Sequence, residues 1–345
     1  MSAEHIAQRV RAARTAAGLT QEELAARADV SRALVGAVER GRHMPAADAA
    51  IRLAAALGSS VERLFGSAAP APAARAVVGG RPADGALVRA GRLDGAVLVR
   101  AFDPPSAISG VGASADGVVA GGTVRLFAGA VARGAVVAGC DPALSIAEGL
   151  LEHAPGDERI VGVPATTGQA LEALAAGRCH AVLVHGPRRS LKPEPGVRRW
   201  HLARWRSGFA THPRLARPSL EALLAGEVPL VQRDRTAACQ QAVERAARRA
   251  GAPRAARTRV AGGHLAAAQE ALALGGAAVA IEPVAMATGL EFSELETHDV
   301  ELWVPERWSG HPGVRSLVDL LTTRRFLERA GALPAYDLTD TGAAR

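Results

Sequence analysis

The sequence predicts a multidomain chain, an all-α N-terminal domain followed by a larger α/β domain, on three observations. At 345 residues it is long enough for two domains of about 100–200 residues each. Residues 1–66 read as short helices joined by tight turns, whereas from residue 134 onward apolar β-runs alternate with helical segments. Between them, residues 67–76 (SAAPAPAARA) are Ala/Pro-rich without apolar periodicity, the composition of a semi-stiff linker.

Composition narrows the class. At 48% hydrophobic and 22% charged, the chain has too much apolar material for a disordered protein. The longest apolar stretch, 261–281, is interrupted by His264, Gln269 and Glu270, so neither a membrane span nor a membrane partner is expected. The N-terminus shows no apolar signal-peptide core. Cys140, Cys179 and Cys239 are odd in number and dispersed, which fits a reducing cytoplasm. The net charge of +7 invites a nucleic-acid partner. Lys192 is the only lysine, however, so 40 of the 41 basic residues are arginine, and the Ala/Gly richness points to GC-rich codon bias. With aromatics at 3%, base-stacking binders of single strands or RNA are disfavoured. Function rests on motifs.

In the first domain, QEELAARADVSRALVGAVER (21–40) has helix-turn-helix spacing. Thr20 with Glu23 forms a capping box, and Ser31 caps the following helix. Ala25 is small where the helices cross, Asp29 suits a left-handed turn position, and Val30, Val35 and Val38 set the crossing angle. Ile6, Val10 and Ala13 stripe the preceding helix; Ile51, Leu53, Leu57, Val61 and Leu64 close the bundle. Residues 77–133 form a β-rich connecting subdomain of short runs such as GAVLVRAF and TVRLFAGA. Residues 134–345 alternate strands (GAVVAG, RIVGVP, HAVLVHG, VPLVQR, GAAVAIEP) with helices at 142–152, 168–176, 237–250 and 264–274, which predicts a largely parallel sheet.

The run GLTQEELAARADVSRALVGAVERGRHMP, with LAAALGSSVERLF after it, resembles the five-helix Cro/repressor-type (XRE) DNA-binding domain over about residues 4–66. The resemblance implies that the second helix of the motif enters the major groove by its N-terminal residues. Ser31, Arg32, Ala33, Val35, Gly36 and Ala37 then face the bases, while Gln21 and the Arg40, Arg42 and His43 turn lie near phosphates. Arg32 is the long donor on that face and fits guanine O6/N7; Ala33 and Ala37 offer apolar contact. Nine Arg against seven Asp/Glu make residues 1–66 only +2, so a monomer is expected to bind weakly and a homodimer or higher even oligomer is implied.

Three strand-to-helix loops of the second domain carry candidate ligand residues: Cys140 and Asp141 before Pro142; Thr166, Thr167 and Gly168; and Arg233, Arg235 and Thr236. Such turns present backbone N–H groups and a positive dipole end, and carboxyl ends of parallel strands share one side of a sheet. Asp141, Thr166, Thr167, Arg235 and Thr236 are therefore expected in one anion-friendly concavity. His264, after Gly262-Gly263, is either a capping residue or a ligand contact.

Together with GCDPAL, LARWRSGFATHPRL, GGHLAAAQEALALGGAAVAIEPVAMATGLEFSEL and AYDLTDTG, these loops make residues 134–344 similar to the type II periplasmic-binding-protein-like domain of XRE-fused, molybdate-type regulators. The resemblance implies two α/β lobes, a ligand cleft and hinge closure, and adds His185 and Arg206 as ligand contacts. The loop VQRDRTAACQQ lacks the family's glycines and His185 precedes Gly-Pro rather than Leu, which argues for an anionic organic ligand over molybdate, with Arg235 replacing backbone donors.

Cys140 and Cys239 would need to meet, with a third ligand, to make a metal or redox site; no metal and no cofactor is expected. Of Cys179 and His180, one should point into the core and the other to solvent. No GxSxG, HExxH, Walker or dinucleotide motif appears, so no catalytic residue and no enzyme is expected. The expected function is a cytoplasmic, ligand-responsive, sequence-specific regulator that binds a double-stranded DNA operator and a small-molecule or oxyanion effector. The alternatives are a degenerate C-terminal domain used for oligomerisation or docking, and a bifunctional enzyme acting on a cleft-bound substrate.

Overall fold

The structure, a computed structural model, describes residues 3–66, 72–104, 114–252 and 259–345. It divides into two compact units, Met1–Ala71 and Pro72–Arg345. The first unit is built from α1 (Ala3–Ala16), α2 (Gln21–Arg27), α3 (Arg32–Glu39), α4 (Ala47–Ala56) and α5 (Val61–Leu64). The α2 start is a complete capping box between Thr20 and Glu23. Asp29 turns the chain with φ of 51°, and Ser31 Oγ accepts from the Leu34 N–H to start α3. Ile6, Val10, Leu24, Val35, Val38 and Leu53 make the core. Ile51, expected in that core, is exposed. The buried face of α4 runs through Ala50, Leu53 and Ala54, and a helical step of about 100° turns Ile51 off it.

The second unit opens with a five-stranded sheet of order β1-β3-β2-β4-β5, from β1 (Arg75–Ala76), β2 (Leu87–Leu93), β3 (Ala96–Ala101), β4 (Gly117–Ala120) and β5 (Thr123–Leu126). Strand structure thus begins inside the segment expected as linker; residues 67–71 of that segment lie outside the described residues. An eight-stranded sheet follows, of order β11-β10-β12-β9-β13-β8-β6-β7. On one side stand β6 (Ala135–Gly139), β7 (Ile160–Pro164) and β8 (Ala181–Gly186), mutually parallel; on the other stand β10 (Leu230–Arg233), β11 (Val260–Ala261) and β12 (Ala277–Ile281), also parallel. Between them β9 (Val197–Thr211) and β13 (Glu291–Pro305) run antiparallel, so the sheet is mixed rather than largely parallel. Two parallel half-sheets sharing two long crossing strands make the two lobes. Helices 142–150, 167–175, 238–249 and 264–274 cover the sheet close to their expected positions.

The β-rich sheet is latched to the first lobe. Val77, Leu93 and Leu98 pack with Val136, Val161 and Trp303. Gly91 is required there, because a Cβ would stand 2.5 Å from Val136 Cγ2. Arg159 Nη2 lies 2.8 Å from Asp116 Oδ2 and donates to the Ala90 carbonyl, while the Ala90 N–H donates to the same carboxylate. Glu148 pairs with both Arg89 and Arg100. These charges are nearly fully buried, and each is tolerated because its partners are in place. Cys179 and His180 are both buried, against the expectation that one faces solvent. His180 Nδ1 accepts from the Val136 N–H, and the ring packs on Trp308 and His311.

Removing one member of a buried pair leaves the other uncompensated, at a cost of roughly 3–5 kcal/mol. Asp116→Ala should therefore lower the stability of the second unit by that order in denaturant melts, and a loss under 1 kcal/mol would contradict the latch. Burial lowers the His180 pKa to about 3. The folded ring stays neutral while the unfolded one gains a proton below about pH 6.5, so stability is lost as pH falls from there, by about 1.4 kcal/mol per pH unit. His180→Gln keeps an acceptor without titrating. Its stability-versus-pH slope between 6.5 and 5 should be shallower by one proton.

Candidate functional site

In the first unit, Ser31, Arg32 and Ala33 stand exposed at the start of α3, and Arg40, Arg42 and His43 stand exposed just beyond its end. Ala37 is half-buried. Val35 and Gly36, expected to face bases, are buried. Val35 belongs to the core, and the Arg40 guanidinium covers Gly36, standing about 3.0 Å from where a Cβ would be. The inner face of α3 ends in Glu39, whose buried carboxylate accepts from Arg14 Nε at 2.7 Å and from Gln21 Nε2 at 2.8 Å. Burial raises the Glu39 pKa, but these donors outweigh it and hold the group below its ordinary value. Gln21 is thereby half-buried and turned toward α3, tying three helices to one carboxylate.

In the second unit, five elements deliver a Cys/His cluster to the junction of the two lobes. Cys140 follows β6, His185 lies in β8, Cys239 lies in helix 238–249, His264 opens helix 264–274, and His298 lies in β13. Cys140 Sγ is 3.1 Å from His185 Nε2, and His185 Nδ1 is 3.0 Å from His298 Nδ1. His298 Nε2 meets Glu296 at 3.3 Å, and Arg245 grips that carboxylate with two donors at 2.9 and 2.6 Å. Trp205 packs against His185 with ring centroids 4.7 Å apart and planes tilted by 56°. Burial holds the His185 and His264 pKa values far below the ordinary range and pushes the thiols up, Cys140 to about 12 and Cys239 to about 11. At neutral pH the cluster is therefore uncharged. Glu296 is lowered to about 2, because the Arg245 and His298 hydrogen bonds outweigh its burial.

The expected ligand residues fare differently. Cys140, His185, His264 and buried Arg233 converge at this junction; Arg233 donates to the carbonyls of Ala261 and Gly262 at 3.2 Å each. Asp141 is buried beside them but occupied: it caps helix 142–150 through the Ala143 N–H and accepts from Trp205 Nε1 at 3.0 Å and from Tyr336 OH. Its pKa is raised, since burial exceeds the help from these donors. Thr166 caps helix 167–175, and its Oγ1 lies 2.6 Å from Thr236 Oγ1. The Gly168 N–H donates to the Thr236 carbonyl, in a contact so close that a Cβ at Gly168 would stand 2.6 Å from Thr236 Cβ. Thr167 Oγ1 lies 3.4 Å from the His185 N. Thr166, Gly168 and Thr236 bind the lobes to each other, whereas the Thr167 contact stays within the first lobe.

Arg235 is exposed, whereas Asp141 and Thr166 are buried. Arg206 pairs with Glu282 and Glu294 at the wall of a pocket of about 630 Å³ that Trp205 and Tyr336 also line. Sequence reasoning missed His298, Glu296, Trp205 and Tyr336 as site residues, and weighed Cys239 without placing it in the site. Nothing local marks them.

Two family models match the chain: a helix-turn-helix over residues 10–64 and a PBP superfamily domain over 149–322, about half of the chain. Among solved structures, it is similar to the restriction-modification controller protein C.AhdI from Aeromonas hydrophila, at 40% identity over 18% of this chain and 96% of that one, TM-score 0.18. It is also similar to a hypothetical transcription factor from Neisseria, at 35% identity over 19% and 75%, TM-score 0.18. A putative phosphate ABC transporter substrate-binding protein from Clostridium perfringens aligns over 60% of this chain and 99% of its own, at 9% identity and TM-score 0.49. No curated protein matches. Among the described residues no helix is long and apolar enough to cross a membrane. The chain thus carries an N-terminal helix-turn-helix domain and, through the unit that contains the Cys/His junction, belongs to the PBP superfamily.

Proposed function

We propose that this chain is a ligand-responsive transcriptional regulator: residues 1–66 read an operator, residues 77–133 connect, and residues 134–345 sense a small molecule, in the cytoplasm and as a dimer. The observation that carries the reading is the pairing of an exposed reading face, Ser31-Arg32-Ala33, with a polar junction built from both lobes of a PBP-type unit. The modest charge of the first unit favours two copies on a two-fold site. A ligand that touches both lobes prefers the arrangement in which they are together. If that arrangement changes how two reading heads are spaced, occupancy shifts operator affinity, typically by about 1–3 kcal/mol. Buried Arg233, rather than Arg235, supports an anionic group on the ligand.

Selection from a randomised duplex library tests the reading head. Arg32→Ala should relax preference at one position per half-site and weaken the best site by about 1–3 kcal/mol. Arg42→Ala should weaken all sequences alike and reduce the salt slope by about one phosphate contact. An unchanged consensus in the Arg32 variant would overturn the assignment of α3. A thermal-shift screen tests the sensor, since a ligand bound to the folded cleft raises the melting temperature in proportion to its saturation.

A further inference from the structure

The junction between the lobes has the donor chemistry of a metal site, and its ring hydrogens can be assigned. Glu296 accepts, so His298 Nε2 must carry hydrogen and, in a neutral ring, Nδ1 carries the lone pair. His185 Nδ1, 3.0 Å away, must then donate, which leaves the His185 Nε2 lone pair directed at Cys140 Sγ, 3.1 Å off. This is the pattern by which an outer carboxylate orients a metal-binding imidazole, here relayed through a second histidine. His264 supplies an independent sign: the residue is 94% buried, at 6% exposure, yet its Nδ1 has no hydrogen-bond partner. Its ligating atom and those of Cys140 and His185 all lie within 4.8 Å of one another.

We propose that Cys140, His185 and His264 form a three-ligand site for a soft or borderline transition cation, Cu⁺ or Zn²⁺. One coordination position is left for water or an anion. Bond lengths of about 2.3 Å to sulfur and 2.0–2.1 Å to nitrogen place neighbouring ligand atoms roughly 3.3–3.8 Å apart, so small side-chain adjustments close the triad. Thiolate with imidazole selects these cations over Mg²⁺ or Ca²⁺, which require oxygen. On binding, the S–H bond breaks, a metal–sulfur bond forms and the thiol proton leaves to solvent, with no change of oxidation state. Cys140 is partly exposed, whereas the second possible triad, His185, Cys239 and His298, is wholly buried and its His298 is already committed to Glu296. That contrast selects the first triad. Cys140 and His185 come from one lobe and His264 from the other, so the cation draws the lobes together, and Arg233 in the same junction suits an anionic co-ligand. The inference rests on the regulator reading for its purpose, but not for its chemistry.

The test uses the full-length reduced protein. Co²⁺, as a spectroscopic substitute for Zn²⁺, should give a sulfur-to-metal charge-transfer band saturating at one equivalent, and Zn²⁺ should bleach it. Anaerobic Cu⁺ titration against a chromophoric chelator reads the other candidate. Cys140→Ala and His264→Ala should abolish the band, Cys239→Ala should retain it, and Glu296→Gln should weaken binding about 10–100-fold. Circular dichroism melts of each variant establish that it is folded, and the wild-type titration stands whatever the variants do. No stoichiometric binding of Co²⁺, Zn²⁺ or Cu⁺, or a band that survives Cys140→Ala but is lost in Cys239→Ala, would overturn the site. Binding of selected duplex DNA, followed by anisotropy with and without the cation, separates the two claims. A bound metal with unchanged DNA affinity upholds the site and overturns the coupling. A response to phosphate or carboxylates with no metal bound overturns the site and upholds the regulator.

Discussion

The second unit depends on one constraint, the antiparallel pairing of two fifteen-residue strands, β9 and β13. At about 3.3 Å per residue each reaches roughly 50 Å, far beyond an ordinary strand, so a single pair serves both lobes. Every parallel strand of either lobe is attached, directly or through one or two intervening strands, to one of these two. The pair also builds the floor of the junction: Trp205 comes from one strand and His298 from the other, opposite each other in register. Irregularities between Glu294 and Glu296 and between Val300 and Glu301 bracket His298, and such bulges bend a strand and re-aim its side chains. The strands that join the two half-sheets therefore also carry Trp205 and His298.

The first unit answers to a smaller version of the same logic. Glu39 is a buried anion whose partners come from different helices, so its solvation by Arg14 and Gln21 is also the geometry of the bundle. A charge removed from water must be surrounded by donors, and donors fixed in space fix the segments that carry them. Gln21 therefore contributes to positioning α3.

What the sequence revealed followed range. Thr20 and Ser31 were legible as caps because each bonds a backbone N–H three residues away, and Asp29 because its turn conformation is local. The strand-to-helix loops were legible for the same reason. Arg233 and Arg235 differ by two positions with similar neighbours, and which one turns inward is decided by carbonyls 28 and 29 residues further along. His185 and His298 are 113 residues apart, and Tyr336 reaches Asp141 across 195. No periodicity encodes such meetings. Val35 shows the converse limit: a position carried over as base-facing was needed for packing, because α3 has only one inner face.

The latch between the β-rich sheet and the first lobe bears on how the chain is made. Arg89 meets Glu152 across 63 residues, Arg100 meets Glu148 across 48, and Asp116 meets Arg159 across 43, always with the partner later in the chain. At a synthesis rate of about 5–20 residues per second, the sheet emerges from the ribosome several seconds before the charges that neutralise its arginines. During that interval it cannot bury Arg89 and Arg100 as the finished protein does. Its final docking must wait for the 142–164 segment, which carries Glu148, Glu152 and Arg159.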